Sequence, residues 1–524
     1  MTAKNTDNLE RNTRTNSMFT LVSRCLGLVR DGALSRLFGA GAFASAFYFA
    51  FLIPNLFRRL FGEGALAAAF LPSYTKLQSQ DPQLAKAFAT LTISKLIILL
   101  GALTLIGELA LGIIVSLQAE PSTSLKLTMV MLPYMPLVCL VAIFGAMLHV
   151  HDKFGPTAAA PIILNGFMIA AAFGLVGIFA NPLHHMTLIG VSVVLAGIVQ
   201  VAWSLLALRH YGWFTKETES AKGEYSIMMR RMLPMIVGLG TLQINTLLDG
   251  FVANWTNLFG KSFFFGLEYP LGEGAMASVT WAQRLYQFPL GVFGIAVATA
   301  IYPLLAKQSS NADSFGSTIR RGLRLVVFIG LPASAGLIFV REPLTAVVFQ
   351  GNNFTSADVI QVGTILLGYA TAVWAYSMTQ VLTKGFYAKD DAMTPVKIAM
   401  FCVALNFVLN VLLIWTPLRA SGLAWSTAFC GVIQACVLLL VIQKHMRAPV
   451  NSEVLKSWCS TVVITLVMGC TVAWIVQGFW HPLEGWWHAF WVLTSSVCAG
   501  IVIVVLGSFM LKKPELHWVL GRSK

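Results

Sequence analysis

Apolar runs of about 20 residues, separated by short polar clusters, recur from one end of this chain to the other. A helix of that length crosses the hydrocarbon of a bilayer, so the pattern predicts an all-α polytopic membrane protein. Fourteen spans are expected, near 17–38, 43–73, 88–117, 126–148, 157–180, 187–208, 227–258, 275–305, 317–340, 358–383, 394–416, 421–443, 457–478 and 486–511. The short alternating segments of a transmembrane β-barrel are absent. Residues 1–16 are polar and carry Lys4, Arg11 and Arg14; they read as a cytoplasmic tail rather than a cleavable leader.

Composition agrees with the pattern. Of 524 residues, 57% are hydrophobic and 11% charged, with mean hydropathy +0.74, against about 25% charged in soluble proteins. The formal charge of +14 would suit a nucleic-acid binder, but its placement argues otherwise. Of the 36 lysines and arginines, 24 fall in the tails, loops and span ends on the side of the N-terminus. Three (Lys261, Arg341 and Arg419) fall in loops on the other side, and nine lie within spans. A bias of that size predicts both termini in the cytoplasm. The eight cysteines lie mostly in apolar runs without metal-ligand spacing and read as small buried hydrophobes.

Two halves of the chain resemble each other in order. "LVRDGALSRLFGAG" pairs with "LLDGFVANWTNLFG", matching Asp31-Gly32 with Asp249-Gly250. "YFAFLIPNLFRRLFG" pairs with "TWAQRLYQFPLGVFG", placing Asn55 opposite Gln287. "GAMLHVHDKFGPTAAAPIILN" pairs with "KGFYAKDDAMTPVKIAMFCVALN", matching Pro156 with Pro395 and bringing Asn165 near Asn406. The expected organisation is two six-helix lobes in parallel pseudo-twofold repeat, 17–208 and 227–443, joined by a cytoplasmic linker at 209–226. Two further C-terminal spans occupy 444–511, and a tail occupies 512–524. Parallel repeats commonly enclose a substrate site between the halves.

Charge inside the spans marks candidate chemistry. Arg36, Lys126 and Arg324 lie close enough to span ends to snorkel. Arg24, Arg30, Arg58 and Arg284 lie deeper, where each costs about 2.5–3.5 kcal/mol. On a regular helix Arg24 and Asp31 share a face, and Arg30 does not. Arg24 with Asp31 is one expected structural pairing, across two turns or through a neighbour, and Arg59–Glu63, four residues apart, another. Interior acids (Asp31, Glu63, Glu108, Asp249) are outnumbered by bases. The surplus predicts a cationic cavity for an anionic substrate, most simply a phosphate or diphosphate. A second set, Asp249, Asn406, Asn410 and Thr427, offers oxygen donors for Na+ or a proton, or else a helix-packing cluster. No nucleophile elbow or zinc-protease motif occurs, and "GKS" at 260–262 lacks the upstream glycine of a P-loop, so the chain reads as a transporter without a cofactor rather than an enzyme.

The segments "SRCLGLVRDGALSRLFGAG", "FLIPNLFRRLFGEGALAAAFLP", "RLYQFPLGVFGIAVATAIYP" and "GFYAKDDAMTPVKI" closely resemble the MurJ (MviN) family of lipid II flippases, within the multidrug/oligosaccharidyl-lipid/polysaccharide exporter group. The resemblance implies fourteen helices in two lobes around a cationic cavity in the bacterial inner membrane. It implies movement of undecaprenyl-diphosphate-linked peptidoglycan precursor to the outer leaflet, driven by an ion gradient or the membrane potential. Carried over by motif, the substrate residues are Arg24, Arg30, Arg58, Asn55 and Arg284. The chain departs from the family pattern at Ser45, Leu52 and Gln287, where an acid or lysine is common. Expected partners are lipid II and membrane lipids, with no nucleic acid, and the expected state is a monomer. The rival readings are a flippase for another polyprenyl-diphosphate-linked glycan and a multidrug exporter of the same fold; the latter would favour an acidic or aromatic cavity.

Overall fold

A computed structural model describes residues 3–62, 64–118, 120–174, 177–178, 181–261 and 266–519. Glu63, the expected partner of Arg59, and Ser262 of the "GKS" stretch lie outside these residues. The described chain is helical and divides into two compact units, Met1–Met276 and Ala277–Lys524.

The first unit holds α1 (Ala3–Phe38), α2 (Ala42–Phe57), α3 (Ala65–Gln80), α4 (Pro82–Leu117), α5 (Thr123–Met131), α6 (Tyr134–Val150), α7 (Gly155–Gly174), α8 (Pro182–Leu208) and α9 (Lys222–Phe259). Local chemistry explains several starts. Asp81 accepts from the amides of Gln83 and Leu84 at 3.0 and 3.1 Å, and Pro82 follows it, so α4 begins there. Asn181-Pro182 repeats the device at α8. Close helix contacts rest on small residues. A Cβ on Gly197 of α8 would lie 2.7 Å from the Tyr134 ring, and one on Gly145 of α6 2.7 Å from the Thr157 hydroxyl. Lipid offers helices no hydrophobic incentive to associate, so such close approach supplies much of the packing. α9 packs on α2, α3 and α4 of this unit, although by sequence repeat it opens the second half.

The second unit, whose first helix begins just ahead of the boundary, holds α10 (Ala275–Pro289), α11 (Ala296–Lys307), α12 (Ala312–Phe349), α13 (Ser356–Ala370), α14 (Val373–Ala388), α15 (Met393–Leu413), α16 (Ser421–Val441), α17 (Ser452–Phe479), α18 (Trp486–Met510) and α19 (Pro514–Val519). A capping box between Thr355 and Asp358 opens α13. Ile319, Leu323 and Val327 of α12 meet Phe386 of α14 and Leu438 of α16 in the core. The final pair of spans packs on α12, where the Phe339 ring would stand 3.0 Å from a Cβ on Gly469.

Among the described residues, ten helical segments are long and apolar enough to cross a membrane, or eleven when α13 and α14, bent by 42°, are joined. The expected fourteen is not reached by that measure. The remaining three expected spans fall on α1, on 42–80 and on α9, which are charged, polar or broken. The outer faces suit lipid. Only 6% of the most apolar window of α4 is buried, and Ile98, Leu105, Ile106, Leu109 and Ile113 lie open on it.

Both units contain a π-helical turn, and the two coincide in the repeat. The segment Arg58–Gly62 follows Pro54 of α2, and Leu290–Ile295 follows Pro289 of α10. In the alignment of "YFAFLIPNLFRRLFG" with "TWAQRLYQFPLGVFG", Arg58 falls opposite Leu290. A proline lacks the amide that continues the ladder, and a widened turn is one way to accommodate the loss.

Candidate substrate-binding site

The intramembrane arginines do not share one environment. Arg24 is exposed on α1, whereas Arg30, under two turns later, is 5% exposed. The Arg30 Nε and Nη2 donate to Asp31 Oδ1 at 3.0 and 2.7 Å, and Nη1 donates to Asn165 Oδ1 at 2.9 Å. Asn165 passes the link back to α1 by donating to the Ser23 carbonyl at 3.2 Å. The Tyr48 hydroxyl donates to the same Asp31 oxygen at 3.1 Å, and the Phe51 ring lies 6.0 Å from the guanidinium carbon. This network ties α1 to α2 and α7.

The expected pairing of Arg24 with Asp31 is therefore corrected: Asp31 takes its neighbour Arg30. Adjacent helical residues point about 100° apart, but the arginine stem is long enough to fold back and bring its planar fork onto the short carboxylate. Three of the five guanidinium donors are committed inside the protein. Arg324 also differs from expectation. Rather than snorkelling alone, it donates from Nε to Glu515 at 2.7 Å, lies 3.8 Å from Glu453 and stacks near Trp518.

Arg58 is half-buried at the start of its π turn, and its Nε donates to Asn55 Oδ1 at 2.9 Å. Asn55, three residues back, thus sets the direction of the guanidinium. Arg284, half-buried on α10 of the second unit, sits on a helix fixed to α13: Gln283 donates to the Tyr369 hydroxyl at 3.0 Å, and Tyr286 stacks on the Tyr369 ring at 4.8 Å. Two departures from the family pattern are absorbed by packing. Ser45 is fully buried, and Leu52 would meet a Cβ on Gly250 at 2.6 Å. Gln287 is exposed.

The second candidate set draws on both units. Asn406 Nδ2 donates to Thr427 Oγ1 at 3.2 Å and Ser426 Oγ at 3.4 Å; Asn410 Nδ2 donates to Asn406 Oδ1 at 3.0 Å; Ser426 donates to Asn410 Oδ1. These residues pin α15 to α16. Asp249 belongs to the first unit, where it accepts from Asn245 at 3.1 Å. Among the described residues no group of three or more His, Cys, Asp or Glu side chains could hold a metal ion.

Spacing arguments singled out neither Asn165 nor Tyr48 as part of the arginine network. The available signal for Asn165 was its place near Asn406 in the repeat. The sequence model of the lipid II flippase MurJ matches residues 34–494. The chain belongs to the MurJ family. It is 32% identical over 446 residues to the probable lipid II flippase MurJ of Vibrio cholerae, covering 80% of each chain. With the probable lipid II flippase MurJ of Rhizobium tropici it shares 30% over 500 residues, covering 93% of this chain and 90% of that one. A solved lipid II flippase MurJ in an inward closed conformation has the same fold, with a TM-score of 0.78 over 96% of this chain and 99% of that one at 21% identity. An inward-facing multidrug resistance transporter of the MATE family shares the fold more distantly, with a TM-score of 0.62 and 13% identity over 82% and 95%. The multidrug likeness is one of fold, whereas the MurJ match extends through the sequence.

Proposed function

We propose that this chain is a lipid II flippase of the bacterial inner membrane. It carries the undecaprenyl-diphosphate-linked disaccharide-peptide from the inner to the outer leaflet by alternating access, with both termini in the cytoplasm. The observation that carries the reading is the match of the chain to the MurJ sequence model over residues 34–494, with arginines placed within its membrane helices. Arg24 is exposed on its helix, and Arg58 is aimed by Asn55. A diphosphate offers oxygens in the geometry that a guanidinium fork pairs with bidentately, and a desolvated site strengthens that pairing. A cationic drug would be repelled by the same groups.

Roles follow from the surroundings. Arg24, Arg58 and Arg284 contact the diphosphate. Asn55 positions Arg58. Arg30, committed to Asp31 and Asn165, positions α1 and with it Arg24. No step makes or breaks a covalent bond, and the monomer suffices. The return of the empty carrier is driven by the membrane potential or by a Na+ or proton gradient, with Asp249, Asn406, Asn410 and Thr427 the candidate coupling residues. The potential is worth about 2.3 kcal/mol per charge per 100 mV. The test is translocation of lipid II by purified protein in vesicles. Alanine at Arg24, Arg58 or Arg284 should lower affinity for the diphosphate head group by about 10-fold to 150-fold, one charge-assisted contact each. Three such variants that transport at the parental rate would end the diphosphate assignment.

A further inference from the structure

The end of α16 and the loop that follows it, residues 442–450, line an open cavity of about 440 Å³ in the second unit, and none of its lining residues is one of the intramembrane arginines discussed above. One wall is apolar: Leu439 and Leu440 from the last turn of α16, and Pro449 and Val450 from the loop. Gln443 and Arg447 supply the polar wall, and Arg447 is exposed, as is Lys444 beside it. The cavity is held open by contacts unrelated to its contents. Arg320 of α12 donates from Nη1 to the carbonyls of Arg447 and Ala448 at 3.2 and 3.4 Å. Met446 is buried against Gly316, and His445 lies 3.6 Å from Asp391 and edge-on to Phe386. Ala448 takes a left-handed conformation (φ 40°) that turns the chain back over the cavity.

We propose that this cavity binds an anionic glycerophospholipid of the cytoplasmic leaflet. The head-group phosphate would sit on Arg447 and Lys444, and an acyl chain would lie along Leu439 and Leu440. The occupant follows from where the cavity sits and how it is charged. Leu440 is 64% exposed on the lipid-crossing helix, so one side of the cavity opens at hydrocarbon depth, while Arg447 stands where that helix has ended. With the orientation that the charge bias implies, this is the inner interface, where anionic lipids attract basic residues. The acids adjoining the loop are already engaged, Asp391 near His445 and Glu453 near Arg324 at 3.8 Å. Two cations without a free acid favour a net negative head group over a zwitterionic one.

The site is testable apart from transport, because none of its residues is assigned to the substrate. Detergent-solubilised protein is exchanged into phosphatidylglycerol or phosphatidylcholine, and lipid adducts are counted by native mass spectrometry. Phosphatidylglycerol should be retained over phosphatidylcholine. Retention should fall about tenfold or more in Arg447→Ala and be lost in Val450→Trp, which fills the cavity. Both variants should keep lipid II translocation and the parental elution volume. Equal retention of the two lipids would overturn the proposal. So would unchanged phosphatidylglycerol retention in both variants, or displacement of the lipid by millimolar inorganic phosphate, which would make the site one for a free anion. Loss of translocation in Arg24→Ala with intact lipid retention would leave this site standing, and the reverse result would leave the flippase reading standing.

Discussion

Replacing Arg30 by alanine separates a structural arginine from a substrate arginine. The wild-type guanidinium makes three hydrogen bonds, two to Asp31 and one to Asn165, within a pair that is 5% and 1% exposed. Alanine leaves the Asp31 carboxylate buried without its cation, although Tyr48 still donates to it at 3.1 Å. Breaking one side of a buried pair costs about 3–5 kcal/mol. For a unit of this size that lowers Tm by roughly 6–10 °C, at about 2 °C per kcal/mol. Lysine keeps the charge but cannot reproduce the fork, so Arg30→Lys should fall between. Removing the stranded charge in Arg30→Ala/Asp31→Asn should recover part of the loss, a coupling that independent sites would not show. The assays are thermal unfolding in detergent and lipid II translocation on the same preparations. The positioning role expects Tm and transport to fall together and to recover together in the double variant. If Arg30→Ala held its Tm within about 1 °C and abolished translocation, Arg30 would contact the substrate and the structural argument would be wrong.

Other outcomes follow from single contacts. Asn55→Ala removes the acceptor that orients Arg58 at 2.9 Å; head-group affinity should drop several-fold with Tm changed by less than about 1 kcal/mol equivalent, and an unchanged affinity would deny Asn55 its positioning role. Gly368→Ala places a Cβ 3.1 Å from the Trp425 amide nitrogen and 2.8 Å from Ala424 Cβ; backbone cannot yield as a side chain can, so unfolding should come about 1–3 kcal/mol earlier, and a neutral result would mean that α13 and α16 separate freely. Asp249→Asn should weaken any Na+ or proton dependence of transport while the protein stays folded, and identical ion dependence in the variant would return the cluster to packing. The C-terminal segment should respond to pH at both ends of the scale. Burial opposes ionisation of Glu515, but hydrogen bonds from Ser457 and Arg324 and the charge of Arg324 outweigh it and hold the carboxyl below its usual range. Its contribution is present above pH 4.5 and is lost as pH falls through the lowered value. Burial lowers Lys513 to about 8, so the unfolded segment binds more protons between pH 8 and 10.5 and docking should tighten across that window, by up to about 3 kcal/mol. Hydrogen exchange of amides 515–519, corrected for intrinsic rate, reads both limbs; protection that fell from pH 8 to 10 would contradict the second.

The rods of this fold were legible because lipid imposes one simple demand, about 20 apolar residues satisfied by their own backbone bonds. That demand marks α4, α12, α17 and α18 plainly. It does not mark α1 and α9, which carry more charged and polar residues. It also misses α19. Residues 512–524 read as a polar tail, yet Lys513 is 4% exposed and donates to the Ser457 carbonyl at 2.7 Å, while Glu515 is fully buried between Ser457 and Arg324. Charge near a terminus usually signals solvent, and only the partners on α12 and α17 reverse the inference.

The repeat reached further into the site than spacing did. Spacing along α1 compares residues on one cylinder, so it could rank Arg24 and Asp31 as neighbours and could not see Asn165 arriving from α7. The alignment of the halves pairs Asp31 with Asp249 and brings Asn165 near Asn406, and all four prove to be buried and hydrogen-bonded. Their partners differ between the halves. Arg30 stands before Asp31, whereas Leu248 stands before Asp249, whose amide partner Asn245 lies one turn back. Asn165 holds an arginine, whereas Asn406 holds hydroxyls and a second asparagine. The aligned positions therefore carry an arginine network at Asp31 and Asn165 and amide and hydroxyl partners at Asp249 and Asn406. Divergence at the neighbouring residue decides whether each becomes an ion pair or an amide cluster. For a carrier whose substrate bears a diphosphate, the first unit bears Arg24, Arg30 and Arg58 within its helices and the second bears Arg284.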